Sequence, residues 1–184
     1  MRDEYDEMLE VVDRKGKILK LARRSEIHGD PSMLHRVVHV LVFDEQGRLL
    51  LQKRSQAKDV APGKWDTSVG GHVSPGEDIE TAARREMGEE LGVSQCTLNF
   101  LYHYLFSGVS ETELVYTFSC IHPGPFNYNE EEIETVEFRE LDEIADSLGS
   151  GLFGEHFECE IRRYLETTRR PSPRDRKYTS ASGH

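Results

Sequence analysis

Apolar and polar positions alternate in short runs bounded by Gly, Pro and Asn, a pattern that predicts β-strands. A hairpin is expected at residues 10–21, with its turn at residues 14–16. The next segment, 22–34, is expected to be irregular, and Pro62-Gly63 and Gly70-Gly71 are expected to punctuate the chain between strands. Further strands are predicted at residues 36–44, 48–53, 98–106, 113–121 and 135–139.

The apolar spacing changes to a helical period over residues 77–91. Asp78 is a suitable N-cap for this helix, and Gly92 stands where a glycine commonly ends one. Shorter helical patterns cover residues 141–148 and 154–168. Helices interspersed with a mainly antiparallel or mixed set of strands predict a layered α/β fold.

Composition narrows the functional classes. The 184 residues include 36% hydrophobic residues, enough for the core of one domain. This domain is expected to span residues 1–168, with an N-terminal hairpin extension at about residues 1–33, and to be followed by a flexible tail at 169–184. The 34 acidic and 23 basic residues give a net charge of −11. Because such a surface repels polyphosphate backbones, we expect no nucleic-acid partner, and phosphate must be recruited by a metal or a few cations.

The cysteines and the N-terminus indicate a cytoplasmic protein. Cys96, Cys120 and Cys159 are scattered and show no C-x-x-C spacing, so no disulfide framework is expected. Residues 1–7 are acidic and lack the apolar stretch of a signal peptide. The apolar run at 37–43 is too short to cross a bilayer, so no membrane partner is expected.

Candidate chemistry concentrates on the helix at 77–91. At about 100° per residue, Glu86 and Glu90 point within roughly 40° of each other, with Glu89 about 60° away. These acids border the apolar face that includes Met87, and crowded carboxylates at a core boundary repel one another unless a cation neutralises them. Oxygen ligands favour Mg²⁺ or Mn²⁺. The alternative is a solvated Glu-rich helix with i,i+4 pairs such as Arg85–Glu89.

The whole segment favours the metal-binding interpretation. Gly71-x5-Glu77-x7-Arg85-Glu-Met-x-Glu-Glu-x-Gly-Val93 resembles the Nudix signature, with Met87 where Ile, Leu or Val is usual. The resemblance implies an α/β/α sandwich with a mixed sheet, in which a loop–helix–loop holds a catalytic Mg²⁺ or Mn²⁺. It also implies the following roles: Glu86, Glu89 and Glu90 as metal ligands or general base, Glu77 as support through water, and Arg85 as the residue that orients the cluster.

A finer resemblance connects residues 10–165 to type 1 isopentenyl-diphosphate isomerases, through strings such as Pro62-Gly-Lys-Trp-Asp-Thr-Ser-Val-Gly-Gly-His72. Alone, each matching residue is an ordinary surface residue, but the joint match implies a second divalent metal. Its ligands would be His28, His35, His72, Glu111 and Glu113. Arg54 and Lys58 match positions that contact the diphosphate.

One departure decides between reaction types. The catalytic cysteine of the isomerases falls at Gly70, and their acid cluster is typically incomplete, whereas this one is complete. A metal-dependent hydrolase of a small diphosphate substrate is therefore favoured. An isomerase and a non-catalytic diphosphate-binding domain remain the alternatives.

Several features stay open at the level of sequence. Glu132 is a candidate base from a loop, and an ordinary solvated acidic loop is the alternative. The diphosphate could belong to a nucleoside, a sugar, an alcohol or a prenyl chain, and a homodimer is compatible with the sequence.

Overall fold

A computed structural model describes residues 7–57 and 60–169. Lys58, one of the two predicted diphosphate contacts, lies outside the described residues, as do residues 170–184 of the predicted tail. The elements in chain order are β1 Met8–Val12, β2 Ile18–Arg23, α1 Arg24–Ile27, β3 Leu34–Phe43, β4 Leu49–Arg54, β5 Trp65–Asp66, β6 Val69–His72, α2 Ile79–Leu91, β7 Asn99–Ser107, β8 Thr112–Ile121, β9 Ile133–Arg139, α3 Leu141–Asp146 and α4 Glu155–Arg169.

Strand β3 is the centre of a mixed sheet. It pairs in parallel with β8 along its whole length, from Leu34–Thr112 to Phe43–Ile121, and antiparallel with β6. Strand β7 extends the sheet beyond β8, while β4, β5 and β9 form a second group joined to β3 near Phe43. The mixed sheet predicted from the sequence is confirmed.

Helices cover both faces of this sheet. Helix α2 packs on the side chains of Val38, Val40 and Val42, and α4 packs on the opposite face, where Leu41 and Phe43 lie. Because β3 is buried on both faces, its sequence is a nearly continuous apolar run. The α/β/α sandwich is therefore confirmed, and polar residues on β3 are exceptions that need a reason.

The predicted ends of α2 agree with its local chemistry. The Asp78 side chain accepts a hydrogen bond from the Thr81 N–H at 3.0 Å, which satisfies one of the free donors of the first turn. Gly92 has φ +68°, the left-handed conformation of a helix C-terminus. The helix begins at Ile79 rather than at Glu77, because Asp78 is extended.

Three local predictions were wrong. The segment 22–34, expected to be irregular, contains the end of β2 and the short helix α1. Gly70 and Gly71, expected as punctuation, lie inside β6, where pairing with His39 and Val38 of β3 satisfies the backbone. Arg169, assigned to the tail, is the last residue of α4. No helix in the described residues is long and apolar enough to cross a bilayer.

Candidate active site

A cavity of about 1230 Å³ opens at the end of the sheet where β3 and β4 separate. One wall is the acidic edge of α2. The lining also includes His28, His72, residues of the β7–β8 connection and residues at the start of α4. Every predicted acid of α2 that could bind a metal lines this cavity: Glu86, Glu89 and Glu90.

Glu86 and Glu90 are the two partly buried acids of that edge. Burial raises the pKa of Glu86 to about 7, against the opposing effect of Arg85. Burial and the charge of Glu86 raise the pKa of Glu90 to about 8, although Gln52 Nε2 donates to Glu90 Oε2 at 3.0 Å. Burial therefore disfavours the charged form of both carboxylates more than the neighbouring Arg85 and Gln52 favour it, and a cation bound between them would stabilise that charged form.

Arg85 connects the acids to the neighbouring loop. Its guanidinium donates to both carboxylate oxygens of Glu77 at 3.0 Å, to Glu86 Oε1 at 2.7 Å and to Glu89 Oε2 at 2.9 Å. It also donates to the backbone carbonyl of His72 at 2.8 Å. The hydrogen bonds with Glu77 are the main cause of the raised pKa of Arg85. Arg85 therefore contacts three acids of the motif at once, and its orienting role stays a prediction.

Glu77 was predicted to support the metal site through water, and that role stays a prediction. Glu77 is not among the residues that line the cavity, and its carboxylate is engaged by Arg85 and by the Ser74 N–H at 3.0 Å. In this conformation Glu77 acts on the site through Arg85 rather than by facing the cavity.

Gly71 explains why Glu86 can reach its position. A Cβ built on Gly71 would overlap the Glu86 carboxylate. A larger residue at position 71 would therefore displace the Glu86 carboxylate. This is a structural reason for the glycine at the start of the motif.

The predicted second ligand set is assembled in one place. Potential ligand atoms of His28, His35 and His72 all lie within 4.8 Å of one another, and His35, Glu111 and Glu113 form a second group on the same criterion. His35 is fully buried; its Nε2 lies 3.5 Å from Glu113 Oε1, but within the described residues neither ring nitrogen has a partner at hydrogen-bond geometry. Buried polar atoms without hydrogen-bond partners are costly unless a bound ligand or ion satisfies them.

The protonation of this cluster suits a metal. Burial and the neighbouring His72 lower the pKa of His28 to about 4, so its imidazole is neutral near pH 7. The pKa of Glu113 is about 2, because the imidazoles of His35 and His156 outweigh the opposing effect of burial. Neutral imidazole and ionised carboxylate are the forms that bind divalent metals. The donor set therefore fits a cation.

Glu7, which the sequence analysis did not single out, lies close to His72 of the imidazole cluster and to Glu86 of α2. Its Oε2 lies 3.1 Å from His72 Nδ1, so His72 Nε2 is directed to His28 Nε2, 3.2 Å away. Its charge also contributes to the raised pKa of Glu86.

Arg54 and Glu132 both line the cavity. Arg54 Nη1 lies 3.5 Å from Asp66 Oδ2, and its Nε donates to the carbonyl of Val60 at 2.8 Å. Glu132 is exposed and accepts from Asn129 Nδ2 at 3.4 Å. Their positions are compatible with substrate contact, and their roles stay predictions.

Comparison with known families settles what the motif on α2 represents. The model of the NUDIX domain matches residues 33–156. This chain belongs to the Nudix family. The identification made from the α2 motif is thereby confirmed.

Curated Nudix relatives include two kinds of protein. An isopentenyl-diphosphate Δ-isomerase of Streptomyces avermitilis is 36% identical over 156 residues, covering 82% of this chain and 79% of the relative. An uncharacterised Nudix hydrolase of Yersinia pestis is 34% identical, covering 76% of each chain. The predicted similarity to both groups is confirmed.

A solved structure supports the fold. A Deinococcus radiodurans protein aligns with a TM-score of 0.75 and 25% identity, covering 85% of this chain and 98% of that protein. The Escherichia coli dihydroneopterin triphosphate pyrophosphohydrolase aligns with a TM-score of 0.56 and 18% identity over 72% of this chain and 95% of that protein. The second similarity concerns the fold alone.

The sequence analysis did not identify three neighbouring polar residues of β3 and α4: His39, His156 and Glu160. His39 and His156 line the cavity, and Glu160 lies next to His39 in the core. One signal was available: His39 is a polar residue in an otherwise apolar run, four residues after His35. The two residues of α4, at an i,i+4 spacing, carried no motif.

Proposed function

We propose that this Nudix protein is a metal-dependent hydrolase that cleaves the diphosphate bond of a small organic diphosphate. The observation that carries the proposal is the pair Glu86 and Glu90. Both carboxylates are partly buried on one edge of α2, both line the cavity, and both have raised pKa values of about 7 and 8. A divalent cation would offset the mutual repulsion of the two ionised carboxylates and would attract the anionic substrate.

The residues fit Mg²⁺ or Mn²⁺ at the α2 edge, held by Glu86, Glu89 and Glu90. The five-residue cluster of His28, His35, His72, Glu111 and Glu113 fits a second divalent metal. Such ions, when bound, polarise a phosphoryl oxygen and lower the pKa of a bound water.

The protein's own residues prepare this chemistry. Arg85 restrains Glu86 and Glu89 through one guanidinium nitrogen, Nη1, and is itself fixed by Glu77. Gln52 fixes one oxygen of Glu90. A glutamate held in this way can accept a proton from an attacking water without reorganising, and Glu86, Glu89 and Glu90 are candidates for that base. Glu132, in the loop before β9, is a fourth candidate that is not held by Arg85 or Gln52. Arg54 is placed to contact the diphosphate.

The test is hydrolysis of a panel of nucleoside, sugar and prenyl diphosphates with and without Mg²⁺. The wild-type protein should release phosphate or a monophosphate product only with the metal. Glu90→Gln should lower kcat at least about a hundredfold, the scale at which a required catalytic group is lost. Glu80→Gln on the exposed side of the same helix, paired with Arg84, is the matched control and should keep wild-type turnover. Full activity of Glu90→Gln with Mg²⁺ would refute the proposal.

Isomerisation of isopentenyl diphosphate is the second candidate, favoured by the named relatives and by the assembled His and Glu cluster. Against it stands Gly70, which has no side chain to move a proton at carbon. Among the described residues that line the cavity there is no cysteine. Incubation with isopentenyl diphosphate should yield no dimethylallyl diphosphate, and detection of that product would reverse the preference. A non-catalytic binding domain would instead bind a diphosphate tightly by calorimetry without turning it over.

A further inference from the structure

A buried carboxylate lies between α4 and the sheet, outside the acid cluster of α2. Glu160 is fully buried and accepts hydrogen bonds from the hydroxyls of Tyr102 at 2.6 Å, Tyr104 at 2.8 Å and Thr117 at 3.1 Å. Its Oε2 also lies 2.8 Å from Nδ1 of His39. Four donors on one carboxylate keep it ionised, and the hydrogen bond from His39 contributes to its lowered pKa against the effect of burial.

This arrangement is not needed to fill the core. Replacing a buried ionic group by apolar residues of similar size is often neutral or stabilising. The network therefore has a consequence other than packing: it fixes the position of the His39 ring at its end.

His39 is held with one nitrogen toward the core and the other toward the cavity. Nδ1 faces Glu160, and among the described residues Nε2 has no hydrogen-bond partner. Burial opposes protonation of His39, but the hydrogen bond and charge of Glu160 outweigh it and raise its pKa above the ordinary value. A protonated ring offers an N–H at Nε2.

Because Gly70 has no side chain, nothing at this position covers His39 Nε2. His39 and Gly70 are partners across β3 and β6, and a Cβ on Gly70 would lie 3.3 Å from His39 Nε2. The backbone N–H of Gly70 also lowers the pKa of Glu90, against the larger effect of burial, so the Glu90 carboxylate is close to Gly70. The space above Gly70 is thus reached from the acid cluster on one side and from His39 on the other.

We infer that His39, positioned by Glu160, contacts the substrate directly and donates a hydrogen bond from Nε2 to a phosphate oxygen above Gly70. This inference rests on the proposed function. Most cavity carboxylates repel an anion, so a fixed cationic donor supplies attraction that the net charge of −11 does not. Glu160 is a positioning residue, since it acts only through the imidazole.

The test measures binding of methylenediphosphonate, a diphosphate that cannot be hydrolysed, in the presence of Mg²⁺ by calorimetry. His39→Asn places its amide near the former Nδ1 and keeps the contact with Glu160, but it lacks an atom at Nε2. We expect at least a tenfold loss of affinity. His103→Asn, at an exposed position of β7 outside the cavity lining, is the matched control and should bind within about twofold of wild type, since surface changes away from a site have small effects.

Gly70→Ala gives a second, independent measurement. Its methyl group would cover Nε2, so it should weaken binding by itself. Because both variants remove the same contact, the double variant should lose little more than the larger single effect. Wild-type affinity in His39→Asn, or fully additive losses, would overturn the inference.

The outcome is separable from the proposed function. A tenfold loss in His39→Asn supports the contact even if the wild-type protein turns over no diphosphate. Equal binding by wild type and His39→Asn, with Mg²⁺-dependent turnover intact, refutes the contact and leaves the hydrolase. If the wild-type protein does not bind the probe, the contact is refuted, while turnover of the diphosphate panel still decides the hydrolase.

Discussion

The Nε2 atoms of His28 and His72 lie 3.2 Å apart, although 44 residues separate them in the chain. One belongs to the segment after α1 and the other ends β6, and Glu111 Oε2 lies 3.5 Å from the first of them. Side chains from three separate segments converge here with their ligand atoms facing one another. This convergence is the geometric basis for a second metal in the proposed site.

The number of metal ions bound per chain tests whether the His and Glu cluster is a second metal site. We expect the wild-type protein to bind two Mn²⁺ ions per chain by calorimetry, and His35→Asn to bind one, because His35 belongs to both groups of the cluster. His122→Asn, outside the cavity lining, should keep two. Two ions bound with unchanged affinity by His35→Asn would remove the second site from the proposal.

Glu7 should tune the cluster without belonging to it. Its carboxylate fixes the Nδ1 proton of His72, so Nε2 presents a lone pair to a metal. Glu7→Gln should weaken Mn²⁺ binding at the imidazole cluster by about 10- to 100-fold, the usual effect of losing such a partner. The exposed Glu45→Gln in the β3–β4 turn serves as control, and equal Mn²⁺ affinity in the two variants would contradict the predicted role.

The pH dependence of stability tests the charge of Glu90. With EDTA present, the folded pKa is about 8 and the ordinary value is 4.5, so between these values the folded state binds more protons than the unfolded state. The contribution of Glu90 to stability is therefore intact below pH 4.5 and is lost as the pH rises toward 8.

Glu90→Gln cannot ionise and should not suffer this loss. The free energy of unfolding of Glu90→Gln relative to wild type should become more favourable by about 1 kcal/mol or more between pH 5 and pH 8. Denaturant unfolding at the two pH values measures it. A difference that is constant with pH would mean that Glu90 titrates normally.

Two glycines of the motif region should respond in opposite ways to alanine. In Gly71→Ala the new methyl group would displace the Glu86 carboxylate, and we expect turnover to fall at least about tenfold. In Gly88→Ala nothing lies within 4 Å of the new Cβ, and the helix should gain about 0.5–1 kcal/mol of stability with turnover unchanged. Turnover assays and thermal unfolding of both variants check the pair. Full turnover in Gly71→Ala would show that Glu86 can move without loss.

Much of the site could be predicted because its chemistry is local in the chain. Glu86, Glu89 and Glu90 share one helical turn, so the period of the α-helix alone brings them to one edge. The cap at Asp78 and the stop at Gly92 are local as well. For such residues the order along the chain is enough to predict the arrangement in space.

Other features depended on contacts between distant segments, and these the sequence could not specify. That Gly70 and Gly71 are strand residues follows from pairing with β3, and that Glu77 faces Arg85 rather than the cavity follows from the fold of one loop. The partnership of His39 with Glu160 joins residues 121 positions apart. Hydrogen bonds of this kind form only after the sheet and α4 have packed, so the local sequence alone does not encode a pattern from which to predict them.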